Sequence, residues 1–438
     1  MRGAGKSHWW AALNSEPHRH YLARVFPEAK IENEIVCSQG FGIGLDPKRS
    51  PSKDTLAALS SQYKPRHVWQ AVIGLQAGLP APFPQEAPTW ANRVRWVRDS
   101  PEEYARLLYE TGEEFFQKRQ RRLLLFDALD RLADDWAGLR PLASALFQVA
   151  LDMLGNRGIR LKLFVRPDML EDRQILAFPD SSKLTGRKAD LTWQRADLYA
   201  LLFQCLANEK TNGATFRDHC RQLLRITWRP EGQDIWVLPD VLRHDEDIQK
   251  KVFHALAGPA MAMGQHGHKS GFPYTWLPNH LLDSRGQVSP RSFLAAIRSA
   301  LDVAAPADWP YALHYKGIQE GVKQASTIRV KEVTQEDYPW VEPLMLALRN
   351  QIIVPCQQEE ILTRWKTART LDTMLSELPM SSGVRLLPLH LDAGPQGVLE
   401  DLKNLGIVDY ISDGRIQIPD VYRIAFGLGR KGGVKPLS

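Results

Sequence analysis

Met1-Arg2-Gly3-Ala4-Gly5-Lys6-Ser7 opens the chain and decides how the rest of it is read. The stretch matches the downstream half of the phosphate-binding loop pattern G-x-x-x-x-G-K-[ST], whose first glycine would fall one position ahead of Met1. Gly3 and Gly5 let backbone N–H groups turn inward around a polyphosphate, Lys6 reaches towards the β- and γ-phosphates, and the Ser7 hydroxyl is a Mg²⁺ ligand. A helix is predicted to start here with its positive end facing the anion, and His8-Trp9-Trp10-Ala11-Ala12-Leu13 supplies an apolar face to hold it on a sheet. Gly3, Ala4, Gly5, Lys6, Ser7 and His8 are thus the candidate nucleotide-binding residues. The alternative for so short a match is a flexible basic terminus, and the remainder of the chain bears on the choice.

The next informative stretch is Leu123-Leu124-Leu125-Phe126-Asp127, which follows the basic run Lys118-Arg119-Gln120-Arg121-Arg122. Four apolar residues ending in an aspartate describe a buried parallel strand whose C-terminal tip carries a carboxylate, the place where a Mg²⁺-nucleotide sits in an open α/β sheet. Asp127 is the second candidate metal ligand, through a Mg²⁺-bound water, and Asp130 just beyond is placed to orient or deprotonate an attacking water. A strand ending in a helix-capping aspartate is the plainer alternative. Upstream, Ser100 is expected to cap a helix begun by Pro101, with Glu102 and Glu103 in its first turn. Downstream, an amphipathic helix over Leu142–Leu151 leads to a further strand, 159–165, ending in Arg166-Pro167-Asp168-Met169. Arg166 is a candidate γ-phosphate sensor, with a surface ion pair to Asp168 as the alternative.

With these motifs in order, the chain resembles the P-loop ATPases of the AAA-related STAND type. The resemblance rests on Leu124-Leu125-Phe126-Asp127-Ala128-Leu129-Asp130-Arg131 at the Walker B position and Phe164-Val165-Arg166-Pro167-Asp168 at sensor 1. It continues through Leu191-Thr192-Trp193 and the helix from Asp197 to Leu202. It extends to Ser289-Pro290-Arg291-Ser292-Phe293-Leu294, where Arg291 matches a sensor 2 arginine. It implies an α/β fold: a parallel-sheet P-loop NTPase core over 1–185 that lacks its first strand, a helical lid over 186–305, and a winged-helix-like domain over 306–438. It implies ATP and Mg²⁺ as cofactors, an ATPase acting as a signalling or defence switch, and catalytic roles for Asp130, Arg166 and Arg291. Arg131 is a candidate arginine finger. Ala128 stands where many AAA enzymes carry a catalytic glutamate, so binding is the firmer expectation than hydrolysis. The strand that normally precedes the loop lies in a sheet interior, so this form is expected to bind ATP weakly and aggregate, compared with one extended upstream by about 10 to 25 residues.

The segment from about 30 to 100 reads as irregular and Pro/Gly-rich, with turns at Gly40-Phe41-Gly42-Ile43-Gly44 and Gly78-Leu79-Pro80 and a short helix from Arg66 to Ile73. His266, His268 and His280 lie near one another in sequence, but the glycine-rich setting of the first two fits a mobile loop better than a metal site. After a linker at Ala304-Ala305-Pro306-Ala307-Asp308, helices are expected near 335–350, 357–368 and 396–405. Asp413-Gly414 between alternating apolar residues then signals a hairpin. Helices and hairpin together resemble a winged helix. DNA is one candidate partner, through Arg415, Arg430, Lys431 and Lys435 on phosphates. A protein partner or self-association is the other, and is favoured because Glu400 and Asp401 oppose one Lys403 on the presumptive recognition helix.

At 438 residues the chain has room for two to four domains at roughly 100–200 residues each. Net charge is +6, a mild excess that permits a nucleic-acid partner without requiring one. Cys37, Cys205, Cys220 and Cys356 are widely spaced, suggesting neither a zinc site nor a disulfide framework and fitting a reducing cytoplasm. No apolar run approaches the ~18 residues of a membrane span, so no membrane is expected. The reading is an ATP-binding switch. The alternative is a non-enzymatic DNA-binding or scaffold protein with a degenerate nucleotide site.

Overall fold

The computed structural model describes residues 3–29, 31, 35–232, 235–264, 267–377 and 387–430. They form two compact units. One is Gly5–Leu191, and the other is residues 192–377 and 387–430 together with Gly3 and Ala4.

The first unit is built on a three-stranded, all-parallel sheet, so the fold is mixed α/β. Its strands β1 (Ile35–Phe41), β2 (Arg121–Phe126) and β3 (Ile159–Leu163) lie side by side in chain order, with Leu124 opposite Ser38 on one side and Leu161 on the other. Only β2 is flanked on both sides, and this explains its uninterrupted apolar run: Leu124, Leu125 and Phe126 are fully buried. Helix α1 (Lys6–Asn14) covers one face, where Leu13 and Trp10 pack with Leu123, Leu125, Cys37 and Phe164. On the opposite face, α2 (Pro65–Ala77) inserts the fully buried Trp69 edge-on against Phe41 and Phe126, at 6.1 and 6.0 Å between ring centres. The Trp69 indole N–H donates to the Leu142 carbonyl of α4 (Trp136–Asp152) at 2.8 Å, tying the two crossover helices together.

The structure corrects the expectation of irregular chain between 30 and 100. Besides β1 and α2, that segment contains helices Lys53–Ser60 and Trp90–Asp99, both capped by a side-chain hydroxyl, from Ser52 and Thr89. Gly40 and Phe41, expected in a turn, belong to β1. A Cβ at Gly40 would lie 2.3 Å from the Phe126 ring, so the glycine marks a close approach within the sheet, where the register also shifts, and not a turn. Helix α3 (Pro101–Gln117) begins where expected, but the Ser100 hydroxyl makes no capping bond. β3 ends at Leu163, two residues short of the expected limit.

The second unit is helical, with one apolar core running from Leu198 to Leu428. That core passes through both the segment expected as a lid and the segment expected as a C-terminal module. Helix α5 (Arg195–Ala207) starts with a reciprocal capping box between Gln194 and Asp197. Helix α6 (Pro290–Leu301) opens on Pro290 and packs on α7 (Tyr315–Lys331) so closely that a Cβ at Gly321 would lie 2.2 Å from the Ala296 carbonyl oxygen. Towards the C-terminus come α8 (Gln358–Thr367), α9 (Gly394–Asn404) and an antiparallel hairpin of β4 (Asp409–Tyr410) and β5 (Ile416–Gln417). Gly414, at φ +84°, turns the hairpin, and Cys356 bridges Ile416 on its outer side. The four cysteines are free, and among the described residues no helix is long and apolar enough to cross a membrane.

Candidate functional site

In the first unit the carboxyl ends of β2 and β3 gather the charged residues. Asp127 follows β2, with its backbone N–H donating to the Phe41 carbonyl at 2.9 Å. Ala128 then takes a left-handed conformation, φ +55°, which swings the chain into the single turn Leu129–Arg131 and presents Asp130. Beyond β3, Arg166 precedes the short helix Pro167–Glu171. Its guanidinium spans two carboxylates: Nη1 lies 3.2 Å from Asp130 Oδ2, while Nε and Nη2 lie 3.2 and 3.3 Å from the two oxygens of the buried Asp168.

Lys6 enters the same cluster as the first residue of α1. It is half-buried, and burial lowers its pKa below the ordinary lysine value, helped by the positive charge of Arg166 and opposed by Asp130, Asp168 and Asp127. Its ammonium makes no ion pair or hydrogen bond among the described residues, and the Asp127 carboxylate likewise has no hydrogen-bond partner there. Gly5, at φ +102° and ψ 12°, is the helix N-cap and offers no side-chain cap, nor is any acidic residue present in the first turn. The free N–H groups of Lys6, Ser7 and His8 therefore keep the partial positive charge of a helix start. A Cβ at Gly5 would meet nothing within 4 Å, so glycine is required there by its backbone angle and not by crowding.

Gly3 and Ala4 belong to the second unit, where Gly3 adopts φ +74° and a Cβ on it would lie 2.4 Å from Ser289 Oγ. The Ala4 carbonyl accepts from the Trp193 indole N–H at 2.9 Å. Arg291, at the start of α6, donates to Glu332 Oε1 at 2.6 Å, and Arg329 lies 3.5 Å from the other Glu332 oxygen. Arg131, Ser7 and His8 are exposed.

No group of three or more His, Cys, Asp or Glu side chains able to hold a metal occurs among the described residues. Mg²⁺ needs no such cage when it arrives with phosphate oxygens and is held by one carboxylate and a hydroxyl, and the unpaired Asp127 suits that role together with Ser7. His280 stacks on Trp276 at 3.8 Å and places Nδ1 2.8 Å from the Trp276 carbonyl, which makes it a packing residue. His266 and the His268 side chain lie outside the described residues.

Of the four basic residues expected on phosphates, the two that are described are paired with carboxylates. Arg415 pairs with Asp413 at 2.7 Å and Arg430 with Asp420 at 3.3 Å, while Lys431 and Lys435 lie outside the described residues. Asp401 is not a surface charge on α9. It is buried, accepts from the His390 backbone N–H at 2.9 Å, and sits 2.6 Å from His390 Nδ1. The pairing of Arg166 with Asp168, expected as the alternative to a phosphate sensor, is present, although Asp168 is buried and not at the surface; what the sequence reading missed is that the same guanidinium also reaches Asp130. Comparison of the chain with protein-family models, curated proteins and solved structures finds no match.

Proposed function

We propose that the chain is an ATP-binding molecular switch of P-loop type, with Mg²⁺-ATP held at Gly5-Lys6-Ser7 and a winged-helix output element at its C-terminus. The observation that carries this is Lys6: a half-buried ammonium with no counter-ion at bonding distance among the described residues, at the start of a helix, beside carboxylates that follow the tips of two parallel strands. Burying a cation in this way is unfavourable unless an anion joins it. A triphosphate supplies that anion, and free helix N–H groups add donors for it. Asp127 and Ser7 would hold Mg²⁺, which supplies charge neutralisation for the phosphates. For the output element, support comes from the order of helix, helix and hairpin, with a single antiparallel bridge joining Cys356 to Ile416.

Turnover depends on Arg166. In the structure described it holds Asp130, and a carboxylate so engaged is a poor base for water. A γ-phosphate competes for the same guanidinium, and its arrival would free Asp130 to orient and deprotonate the attacking water while Arg166 steadies the developing charge. Output would pass to a protein partner, to another copy of the chain or to DNA. The test is ATP binding and phosphate release by the wild type and by Arg166→Ala. The reading expects binding in both and slowed release in the variant. Binding without release in the wild type favours a non-enzymatic switch or scaffold, for which the Arg166–Asp130 pair is the specific support. Absence of ATP binding rejects the reading.

A further inference from the structure

The sheet of the first unit has a second charged region, along the face on which α1 packs. Register places Arg160 opposite Leu123 and Lys162 opposite Leu125, so these two side chains share the face on which α1 packs. Alternation along β2 puts Arg121 on that face as well, two residues before Leu123. α1 covers the part around Leu123 and Leu125, and it leaves Arg121, Arg160 and Lys162 exposed. Arg187, also exposed, joins them: Arg121 and Arg187 are the two cations whose charges act on Arg160. No salt bridge among the described residues involves any of the four, and the one hydrogen bond is a long one, 3.4 Å from Arg160 Nη1 to the Leu154 carbonyl.

Several other cations of this unit do have acidic partners: Lys118 with Glu114, Arg157 with Glu113, Lys183 with Asp180 and Lys188 with Asp190. Four like charges gathered without a counter-charge repel one another, and the arrangement is relieved by a polyanion laid across it. Three of the four are arginines, whose planar guanidinium matches a phosphodiester in bidentate fashion, and two of the four side chains stand on one rigid strand at a fixed spacing.

We propose that Arg121, Arg160, Lys162 and Arg187 form a docking face for the phosphate backbone of a nucleic acid, located on the sheet unit and separate from the C-terminal hairpin. A face made of cations, three on strands and Arg187 on a turn, binds phosphates by charge and has little sequence preference. The inference does not depend on the nucleotide reading.

The test is fluorescence anisotropy of the full chain with a labelled DNA single strand, a DNA duplex and an RNA single strand, each over a range of salt. Four phosphate contacts predict a slope of log affinity against log salt of about −3.6 for duplex and about −2.8 for a single strand. The triple variant Arg121→Glu/Arg160→Glu/Arg187→Glu should lose nucleic-acid binding at least tenfold while keeping its melting temperature. The single variant Arg160→Gln should flatten the slope by about one contact. Arg415→Glu, whose wild-type arginine is paired with Asp413, should leave affinity unchanged. Retained affinity and slope in the triple variant overturn the proposal, as does loss only in Arg415→Glu. Wild-type binding to phosphatidylserine vesicles with none to any nucleic acid overturns it as well, since it assigns the face to a lipid surface.

Discussion

Replacing Gly40 by alanine tests the link between the sheet and the site. A Cβ at this position would lie 2.3, 2.5 and 2.8 Å from three atoms of the Phe126 ring, well inside contact distance. The ring has no room to yield: it is fully buried, and Trp69 stands edge-on to it at 6.0 Å with its own indole N–H tied to the Leu142 carbonyl. Overpacking of this kind costs about 1–3 kcal/mol. For a unit of this size each kcal/mol lowers Tm by roughly 2–4 °C, so the expected fall is about 2–12 °C. Because Phe126 directly precedes Asp127, the variant should weaken Mg²⁺-ATP binding too. Scanning calorimetry reads the first effect and titration calorimetry the second. Trimming the ring in Gly40→Ala/Phe126→Leu should make the combined loss smaller than the sum of the two single losses, by about 0.5–3 kcal/mol. A single variant that melts within about 1 °C of the wild type would refute the packing argument.

Asp127→Ala should weaken Mg²⁺-ATP binding, whereas Asp130→Ala should spare binding and slow phosphate release; equal and unaltered hydrolysis in both variants sinks the assignment. Affinity for triphosphate should fall as pH rises through the depressed Lys6 pKa, below the ordinary lysine value of 10.5, because the buried ammonium then loses its proton and the anion must restore it. In the ligand-free chain the sign reverses: the burial cost of charged Lys6 is present at all lower pH and is relieved between the depressed pKa and the ordinary one; calorimetric proton uptake on binding checks the first effect and denaturant melts across that pH interval the second. In the second unit, Asp420→Ala removes the carboxylate that the fully buried Arg423 meets at 2.7 Å and should destabilise by about 3–5 kcal/mol in a denaturant melt.

How much of this was legible in the sequence varies from element to element for physical reasons. β2 was legible because the middle strand of a parallel sheet is apolar on both faces, and its apolar run cannot easily be anything else. β1 was not, because it is an edge strand with partly exposed residues and because Gly40 signals a turn in sequence while serving in the structure to admit a ring. The helix starts at Lys6, Pro101 and Pro290 were readable from glycine or proline at the first turn. The hairpin at Asp413-Gly414 was readable from its turn chemistry. The charge cluster was half legible: Asp127, Asp130 and Arg166 stood out by position, but the fork of Arg166 between Asp130 and Asp168 depends on how two strand tips lie beside each other. The basic face escaped notice because register, not sequence spacing, brings Arg160 beside β2, and Asp401 was read as a surface charge because its partner, His390, is on another element.

The measurement that bears most directly on the account is titration of the wild-type chain and of Lys6→Ala with Mg²⁺-ATP under matched conditions, with melting temperature followed for both. The account predicts saturable binding by the wild type, loss of at least tenfold in affinity for Lys6→Ala, and an unchanged or slightly raised melting temperature in the variant, since a half-buried unpaired cation has been removed. Equal affinity in the two proteins, or no binding by a folded wild type, would contradict it.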